Sequence, residues 1–314
     1  MRLNLMIEGQ EGVSWDEWVS LARAVENNGY EGLFRSDHYS SFSHPDERGS
    51  LDAWTTLAGI ASITDRIKLG TLVSPVTFRH PSELSKEVVT VSHISNGRAE
   101  LGLGAGWHDP EHVAHGFVFP DTGVRMEMLA EQLEIVSRQW ADEPFDFKGR
   151  HYELTGSMPL PKPKAKPNLI MGGGVGPRSV KLAARWADEY NIVYPSVEKA
   201  REARATLAKA WEEAGRDPES LVLSVMTGVV VGENEKDFRK RADALMARTN
   251  YDGSFDDWYA KAKKNQVAGT VEQAIDRVEE LADAGVQRIM LQHLNHVDVE
   301  MVVLVGERIA KSVR

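Results

Sequence analysis

Strand-like and helix-like segments alternate along the whole chain, and this alternation restricts the fold more than any other feature of the sequence. Strand-like segments are short apolar runs, whereas helix-like segments repeat apolar residues every three to four positions. Ser14 and Glu17 predict a capping box at the first helix, and Pro81 is typical of a helix start. The predicted strands are 2–8, 30–36, 67–73, 99–104, 168–171, 190–194, 221–231 and 288–292. The predicted helices are 14–28, 52–64, 81–94, 123–140, 177–187, 197–214, 235–248, 255–264, 270–284 and 297–312.

Strands that alternate with helices predict parallel βα units of the α/β class. Two architectures fit, a single (β/α)8 TIM barrel over 1–314 and a doubly wound open sheet. The barrel is favoured because the repeats fill the whole length and polar residues follow several different strands. Segments at about 107–123, 145–166 and 249–268 are predicted insertions at loops on the carboxyl ends of the strands. The second of these contains several prolines and predicts a short hairpin followed by a loop.

Composition excludes several classes of function. The net charge of −10, from 37 basic and 47 acidic residues, disfavours nucleic acid and anionic membranes as partners. The absence of cysteine excludes disulfides, thiolate nucleophiles and cysteine-ligated metals. No apolar run reaches the about 18 residues of a membrane span, and the N-terminal strand is too short for a signal peptide. We therefore expect a cytoplasmic protein without a membrane partner.

The segment 98–112, with the sequence RAELGLGAGWHDPEH, combines a glycine-rich strand with an unusual end. Gly102, Gly104 and Gly106 stand at alternate positions, which lets another backbone or a flat ligand approach the strand closely. Trp107 and His108 follow at once. An aromatic ring and an imidazole at a strand end suit the rim of a site.

Polar and ionisable residues follow several other predicted strands, at the end of the barrel where active sites form. His38 is the candidate for proton transfer near neutral pH, and the alternative is an Asp-His turn that only fixes the loop. The residues that follow the strand ends include Glu8, Ser36, Asp37, His38, Tyr39, Ser74, Thr77, Phe78, Arg79, His80, Trp107, His108, Gln292 and His293.

A glycine-rich loop at 172–176 leads directly into a helix that begins near Pro177. Backbone N–H groups of such a loop can bind a phosphate with help from the helix dipole, and the alternative is a simple tight turn. The loop lacks the Gly-Lys-Ser/Thr of a Walker motif and the spacing of a dinucleotide fingerprint.

Other chemistries have weaker support. His108, His112 and His115 share one helical face, but their spacing is not that of a zinc protease, and we expect no metal. No GxSxG motif indicates a serine hydrolase. The acids near strand ends, Glu8, Asp37 and Glu111, do not single out a glycosidase pair.

Several motifs taken together resemble the bacterial-luciferase-like superfamily, and within it the oxidoreductases that depend on coenzyme F420, a deazaflavin. The resemblance is strong from residue 1 to about 195 and stays recognisable in the last βα units. The motifs are SDHY at 36–39, LGTLVSPVTFRHP at 69–81, GLGAGWH at 102–108, EH at 111–112, Gly116, FP at 119–120, and GGG at 172–174 followed by AARWAD at 183–188.

The resemblance implies a (β/α)8 barrel with the cofactor ring lying across the strand ends. It implies a cis peptide bond between Leu72 and Val73 that supports the ring, and a His38 that takes part in proton transfer during hydride transfer. The phosphate of the cofactor would bind at Gly173 and Gly174. The implied cofactor contacts are Asp37, Leu72, Val73, Ala105, Gly106, Gly172, Gly173 and Gly174. We expect the substrate pocket to include Glu8, Phe78, Trp107 and His108.

Two departures refine this expectation. Trp107 occupies the position where sugar-phosphate dehydrogenases of the family have a catalytic glutamate, so oxidation of a sugar phosphate is disfavoured. Asp37, His38 and Tyr39 stand where FMN-dependent monooxygenases often have Glu-His-His, which favours F420. The alternatives are an FMN-dependent monooxygenase that uses O2 and a flavin-binding barrel without turnover. We expect a homodimer that acts on a small organic substrate, with a separate reductase supplying reduced cofactor.

Overall fold

Eight parallel strands close into a barrel, so the predicted (β/α)8 TIM barrel is confirmed. The computed structural model describes residues 1–141 and 143–313. Around the barrel the strands follow the order β1, β2, β3, β4, β7, β8, β9 and β11, and β11 pairs with β1 to close it. The strands are β1 Arg2–Ile7, β2 Gly32–Arg35, β3 Lys68–Pro75, β4 Ala99–Gly104, β5 Phe145–Lys148, β6 Glu153–Ser157, β7 Asn168–Gly172, β8 Glu189–Val193, β9 Val222–Gly232, β10 Val267–Thr270 and β11 Arg288–Gln292.

Helices cover the outside of the barrel, and several start where local sequence signals predict. Ser14 and Glu17 form the predicted capping box of α1, and Pro81 opens α3. The helices are α1 Trp15–Asn27, α2 Ala53–Ala61, α3 Pro81–Ile94, α4 Asp109–His115, α5 Thr122–Trp140, α6 Pro177–Trp186, α7 Val197–Glu213, α8 Glu235–Arg248, α9 Phe255–Asn265, α10 Val271–Asp283 and α11 Val299–Val305.

The segments predicted as insertions contain elements of their own. The segment 107–123 contains α4, and 145–166 contains the predicted hairpin, in which β5 pairs antiparallel with β6. The segment 249–268 contains α9 and the start of β10, a strand that the sequence reading missed. β10 pairs only with the last four residues of β9, Val229–Gly232, beyond the part of β9 that closes the barrel.

The end of the chain also differs from the predicted single helix over 297–312. α11 ends at Val305 and continues as a wider π-helical turn over Gly306–Ala310. Gly306 packs so closely on Asn28 that a Cβ there would lie 2.5 Å from the Asn28 Cβ.

A buried charge cluster fills the amino-terminal end of the barrel interior. Arg288, which is 1% exposed, donates from Nε to Glu31 at 2.6 Å and from Nη1 to Glu100 and Glu189 at 2.7 Å each. Above this cluster lies an apolar layer that contains Met6, Phe34, Leu72, Ile170 and Met290. The candidate site therefore lies at the opposite end of the barrel from these charges.

A register shift between β3 and β4 shapes that opposite end. Thr71 pairs with Leu101 and Ser74 pairs with Leu103, so one residue more is used in β3 than in β4. The peptide bond between Leu72 and Val73 is cis, as the family resemblance implies.

The side chain of Val73 occupies the space that three glycines leave open. A Cβ on Gly104 would lie 2.7 Å from Val73 Cγ2, and a Cβ on Gly172 would lie 3.2 Å from Val73 Cγ1. A Cβ on Gly102 would lie 2.9 Å from Val73 Cγ1 and would clash with the carbonyl oxygen of Thr71. The glycine pattern allowed a close approach either by another backbone or by a flat ligand. The close packing of β3 accounts for Gly102 and Gly104.

We expect Gly102→Ala to lower the free energy of unfolding by about 1–3 kcal/mol, because the new methyl group would meet backbone that has little freedom to move. Urea denaturation followed by circular dichroism measures this change. Gly123→Ala is the matched control, since a Cβ at Gly123 in α5 meets nothing within 4 Å. Equal stability of the two variants would contradict the packing argument.

Candidate active site

A cavity of about 570 Å³ opens at the carboxyl ends of the barrel strands. Its size is typical of a site for a small molecule or cofactor. Every predicted site residue except Asp37 lines it. These residues are Glu8, His38, Leu72, Val73, Phe78, Ala105, Gly106, Trp107, His108, Gly172, Gly173 and Gly174.

Asp37 is outside the cavity lining, so its predicted contact with the cofactor is not supported by its position. Its carboxylate accepts hydrogen bonds from Ser74 Oγ and Arg79 Nη1, both at 2.6 Å. Arg79 also forms ion pairs with Asp52 at 3.0 Å and with Glu87 at 3.1 Å. Asp37 and Arg79 therefore join the ends of β2 and β3 to the helices behind them.

His80, whose role the sequence left open, caps a helix in the structure. Its Nδ1 accepts a hydrogen bond from the backbone N–H of Ser82 at 3.2 Å and so caps the start of α3.

His38 is held at the cavity by Glu111, a residue of the short helix α4. The distance between His38 Nδ1 and Glu111 Oε2 is 2.8 Å, and the Glu111 side chain is completely buried. An ionised carboxylate only accepts hydrogen bonds, so Nδ1 carries a proton and Nε2 is the ring nitrogen left for other partners.

Glu111 stays ionised despite its burial. Burial raises its pKa, but hydrogen bonds from His38 and from the backbone N–H groups of Ser40 and Tyr39 outweigh that effect and hold the pKa below its ordinary value. A carboxylate that accepts several hydrogen bonds is stabilised in its charged form. The protein thus fixes both the orientation and the tautomer of His38.

Aromatic rings form the wall beside His38. The ring of Phe42 lies 4.7 Å from that of His38 and 5.1 Å from that of Trp107, measured between centroids. Trp107 is 65% exposed and stands at the rim. Burial lowers the pKa of His108, which packs on Phe42 at 4.6 Å.

Neutral amides bind the carboxylate of Glu8 on the cavity wall. Gln10 Nε2 donates to Glu8 Oε2 at 2.8 Å, and Gln292 Nε2 donates to Glu8 Oε1. Tyr194 Oη in turn donates to Gln292 Oε1, and burial raises the pKa of this tyrosine. Both oxygens of Glu8 therefore already accept hydrogen bonds within the protein.

The glycine loop after β7 provides an open surface of backbone at the start of α6. A Cβ on Gly174 or Gly176 would meet nothing within 4 Å, so protein packing does not require glycine at these two positions. Gly173 is equally open, but its φ of +141° itself favours glycine. Gly176 caps α6 without a side-chain hydrogen bond to the first turn. The N–H of Gly173 donates to the carbonyl oxygen of Asn191 at 3.1 Å, and Pro177 has no N–H. The N–H groups from Gly174 to Gly176, at the helix start, fit the phosphate of a cofactor.

The histidines of α4 do not gather into a metal site. His112 Nδ1 lies 2.7 Å from the carbonyl oxygen of His108, and His112 Nε2 lies 2.6 Å from Thr77 Oγ1. Within 1–141 and 143–313, no group of three or more metal-ligating side chains is found. No helix in the same residues is long and apolar enough to cross a membrane.

Sequence reasoning missed the partner of His38 and several lining residues. Glu111 enters the sequence analysis as an acid near a strand end and as part of a family motif, without a partner. Phe42 and Tyr194 also line the cavity, as does Gln292, which the sequence places only at a strand end. The signal for Glu111 was its place in the EH motif, but nothing in one sequence paired it with a histidine 73 positions away.

A family model and several known proteins match this chain. The family model described as luciferase-like monooxygenase matches residues 3–291. An F420-dependent hydroxymycolic acid dehydrogenase of Mycobacterium tuberculosis is 30% identical over 221 residues, which are 70% of this chain and 60% of that protein.

Two solved structures share the fold along the whole chain. An F420-dependent secondary alcohol dehydrogenase in complex with an F420-acetone adduct has a TM-score of 0.84 at 21% identity, with 100% of this chain and 99% of that chain covered. The oxygenating constituent of 3,6-diketocamphane monooxygenase from Pseudomonas putida, in complex with FMN, has a TM-score of 0.80 at 17% identity, with the same coverage of 100% and 99%.

We expect Glu111→Gln to reverse the tautomer of His38. The amide oxygen would keep the backbone donors of Tyr39 and Ser40, so the amide N–H would face Nδ1 and move the ring proton to Nε2. Long-range ¹H–¹⁵N correlation spectra of labelled histidine report the tautomer directly. Glu127→Gln is the control, since Glu127 contacts His151 at 3.1 Å on the surface. A proton that remained on Nδ1 in Glu111→Gln would refute the proposed pairing.

Proposed function

Because the chain belongs to the luciferase-like monooxygenase family, we propose that it is an F420-dependent oxidoreductase that transfers a hydride between the deazaflavin and a small organic substrate. The observation that carries this proposal is the His38–Glu111 pair, which leaves Nε2 of His38 available at the cavity. The F420-dependent dehydrogenases among its relatives support the same choice.

The residues of the cavity fit the cofactor. The N–H groups of Gly174 and Gly176, and those that follow Pro177 in the first turn of α6, would hold its phosphate, with Ser179 nearby on the lining. Leu72, Val73, Ala105 and Gly106 would contact the ring. When bound, the deazaflavin supplies a two-electron carrier that accepts or donates a hydride.

His38 would accept or donate the proton of the reaction, depending on its direction. For an alcohol substrate, Nε2 takes the hydroxyl proton while the hydride leaves the adjacent carbon, and a carbonyl product results. Glu111 would then form an ion pair with the protonated ring, since Oε2 of Glu111 lies 2.8 Å from Nδ1 of His38. In the reverse direction His38 returns the proton to the carbonyl oxygen.

The substrate would lie between His38 and the aromatic wall. Phe42 and Trp107 offer flat apolar surfaces, which favour a substrate with apolar groups over a strongly polar sugar phosphate. The family resemblance also implies that Trp107 stands where sugar-phosphate dehydrogenases have a catalytic glutamate, which disfavours that substrate class.

We expect the purified protein to bind oxidised F420 with a micromolar or lower Kd and to bind FMN at least about 10-fold more weakly. Fluorescence titration with each cofactor measures both constants. Gly174→Val should weaken cofactor binding by filling the open surface of the loop. Gly49→Val is its control, because a Cβ there also meets nothing within 4 Å. Tighter binding of FMN would instead support a flavin-dependent monooxygenase, the second candidate, for which the FMN complex of a structural neighbour is the supporting observation.

We expect His38→Ala to lower kcat with secondary alcohols by about 10²- to 10⁴-fold, the usual contribution of a general acid or base, while the Kd for F420 stays the same. The loss of visible absorbance of oxidised F420 measures turnover. His93→Ala is a matched control because His93 is exposed on α3. Unchanged turnover in His38→Ala would exclude the catalytic role of His38, whereas cofactor binding without any turnover by the wild-type protein would favour a barrel that binds cofactor without catalysis.

A further inference from the structure

A side pocket of about 300 Å³ adjoins the candidate active site. Glu8, Phe42 and Gln292 line both spaces, so the pocket begins beside the aromatic wall that includes His38. Its remaining walls come from the segments after β1, β2 and β11 and from the end of α8. These walls contain Gln10, Glu11, Ser43, Arg48, Arg248, Thr249 and Leu294.

In three of the four ionisable side chains of this pocket, no buried polar atom lacks a hydrogen-bond partner. Glu8 accepts hydrogen bonds from the two glutamines described above. Glu11 accepts from Ser41 Oγ at 2.8 Å and forms an ion pair with Arg48 at 3.1 Å. The positive charge of Arg48 is therefore neutralised by Glu11.

Arg248 is the exception. Its Nη2 donates to the backbone carbonyl of Glu11 and contacts the His296 ring, both at 3.2 Å, whereas its buried Nε has no partner. Among the residues that the structure describes, no carboxylate forms an ion pair with it. Burial and Arg248 itself lower the pKa of His296 to about 4, so that ring is neutral at pH 7 and bears no like charge.

On the premise of the oxidoreductase function proposed above, we propose that the side pocket binds a carboxylate at the end of the substrate remote from the reacting carbon, with Arg248 as the residue that determines this specificity. A guanidinium with unused donors forms short, charge-assisted hydrogen bonds to a carboxylate. A monoanion fits better than a dianion because Arg48 is paired with Glu11 and the carboxylate of Glu8 also lines the pocket, so Arg248 is the one cation left to meet an incoming anion among the described residues of the pocket. The substrate class is then an apolar hydroxy acid or keto acid whose chain passes Phe42.

Calorimetric titration of the F420-loaded protein with straight-chain alkanoates of increasing length, and with the matching alkanamides, tests this proposal. We expect the best alkanoate to bind at least about 10-fold more tightly than its amide, as a hydrogen bond to a charged group predicts. Arg248→Met should abolish that preference, and Arg248→Lys should retain part of it. Lys240→Met is the control, because Lys240 is exposed on the same helix.

The outcomes separate the two proposals. Equal binding of alkanoate and amide by the wild-type protein, or a preference that survives in Arg248→Met, would overturn the carboxylate pocket even if F420 binds as expected. If F420 fails to bind, the same titrations are made without it. A preference that depends on Arg248 would then uphold the pocket while the oxidoreductase function failed. Should Arg248→Met not fold, the wild-type comparison and Arg248→Lys still decide the question.

Discussion

The packing of Val73 between three glycines is the constraint on which the candidate site depends. Because Gly102, Gly104 and Gly172 have no side chains, β3 can shift by one residue against β4 and still pair with it afterwards. The shift brings Ser74 into position to bind Asp37 and to accept a hydrogen bond from Trp54 Nε1 at 3.2 Å. Asp37 is thereby fixed, and His38 follows it directly in the chain. The packing of Val73 in β3 thus helps to determine where the imidazole of His38 lies, in the loop after the neighbouring strand β2.

The two ends of the barrel use buried charge differently. At the amino-terminal end, Arg288 lies among Glu31, Glu100 and Glu189, and burial together with repulsion from Glu189 raises the pKa of Glu100. Such a cluster specifies how the strands meet, since removing the one cation would leave buried carboxylates unpaired. At the other end, carboxylates hold side chains that face a cavity. This separation agrees with barrels in general, where stability is concentrated at one face and chemistry at the other.

Local signals made much of the fold predictable from sequence. α3, α8, β4 and β11 have the predicted bounds because a cap, a proline or a clear apolar run marks their ends. β10 has no such signal, since its short sequence VAGT pairs only with the outer part of β9.

The site was less predictable, because its decisive contacts join distant parts of the chain. The position after β2 made both Asp37 and His38 candidates for the cavity, yet one pairs with Arg79, 42 residues further on, and the other with Glu111. Periodicity and motif spacing identify which residues reach the strand ends. They do not identify which of these residues bind one another, and that pairing decides between a structural role and a chemical one.

The same pairings make His38 the candidate for proton transfer among the described residues near the aromatic wall. Both oxygens of Glu8 accept hydrogen bonds from amides, and both oxygens of Glu111 accept hydrogen bonds from His38 or the backbone. Asp37 lies behind the cavity in an ion pair with Arg79. Burial lowers the pKa of His108, which makes it a weaker base than an ordinary histidine. Among the described residues beside this wall, His38 combines a hydrogen bond to a buried carboxylate with a second nitrogen at the cavity, so the proposed chemistry of the site depends on this ring.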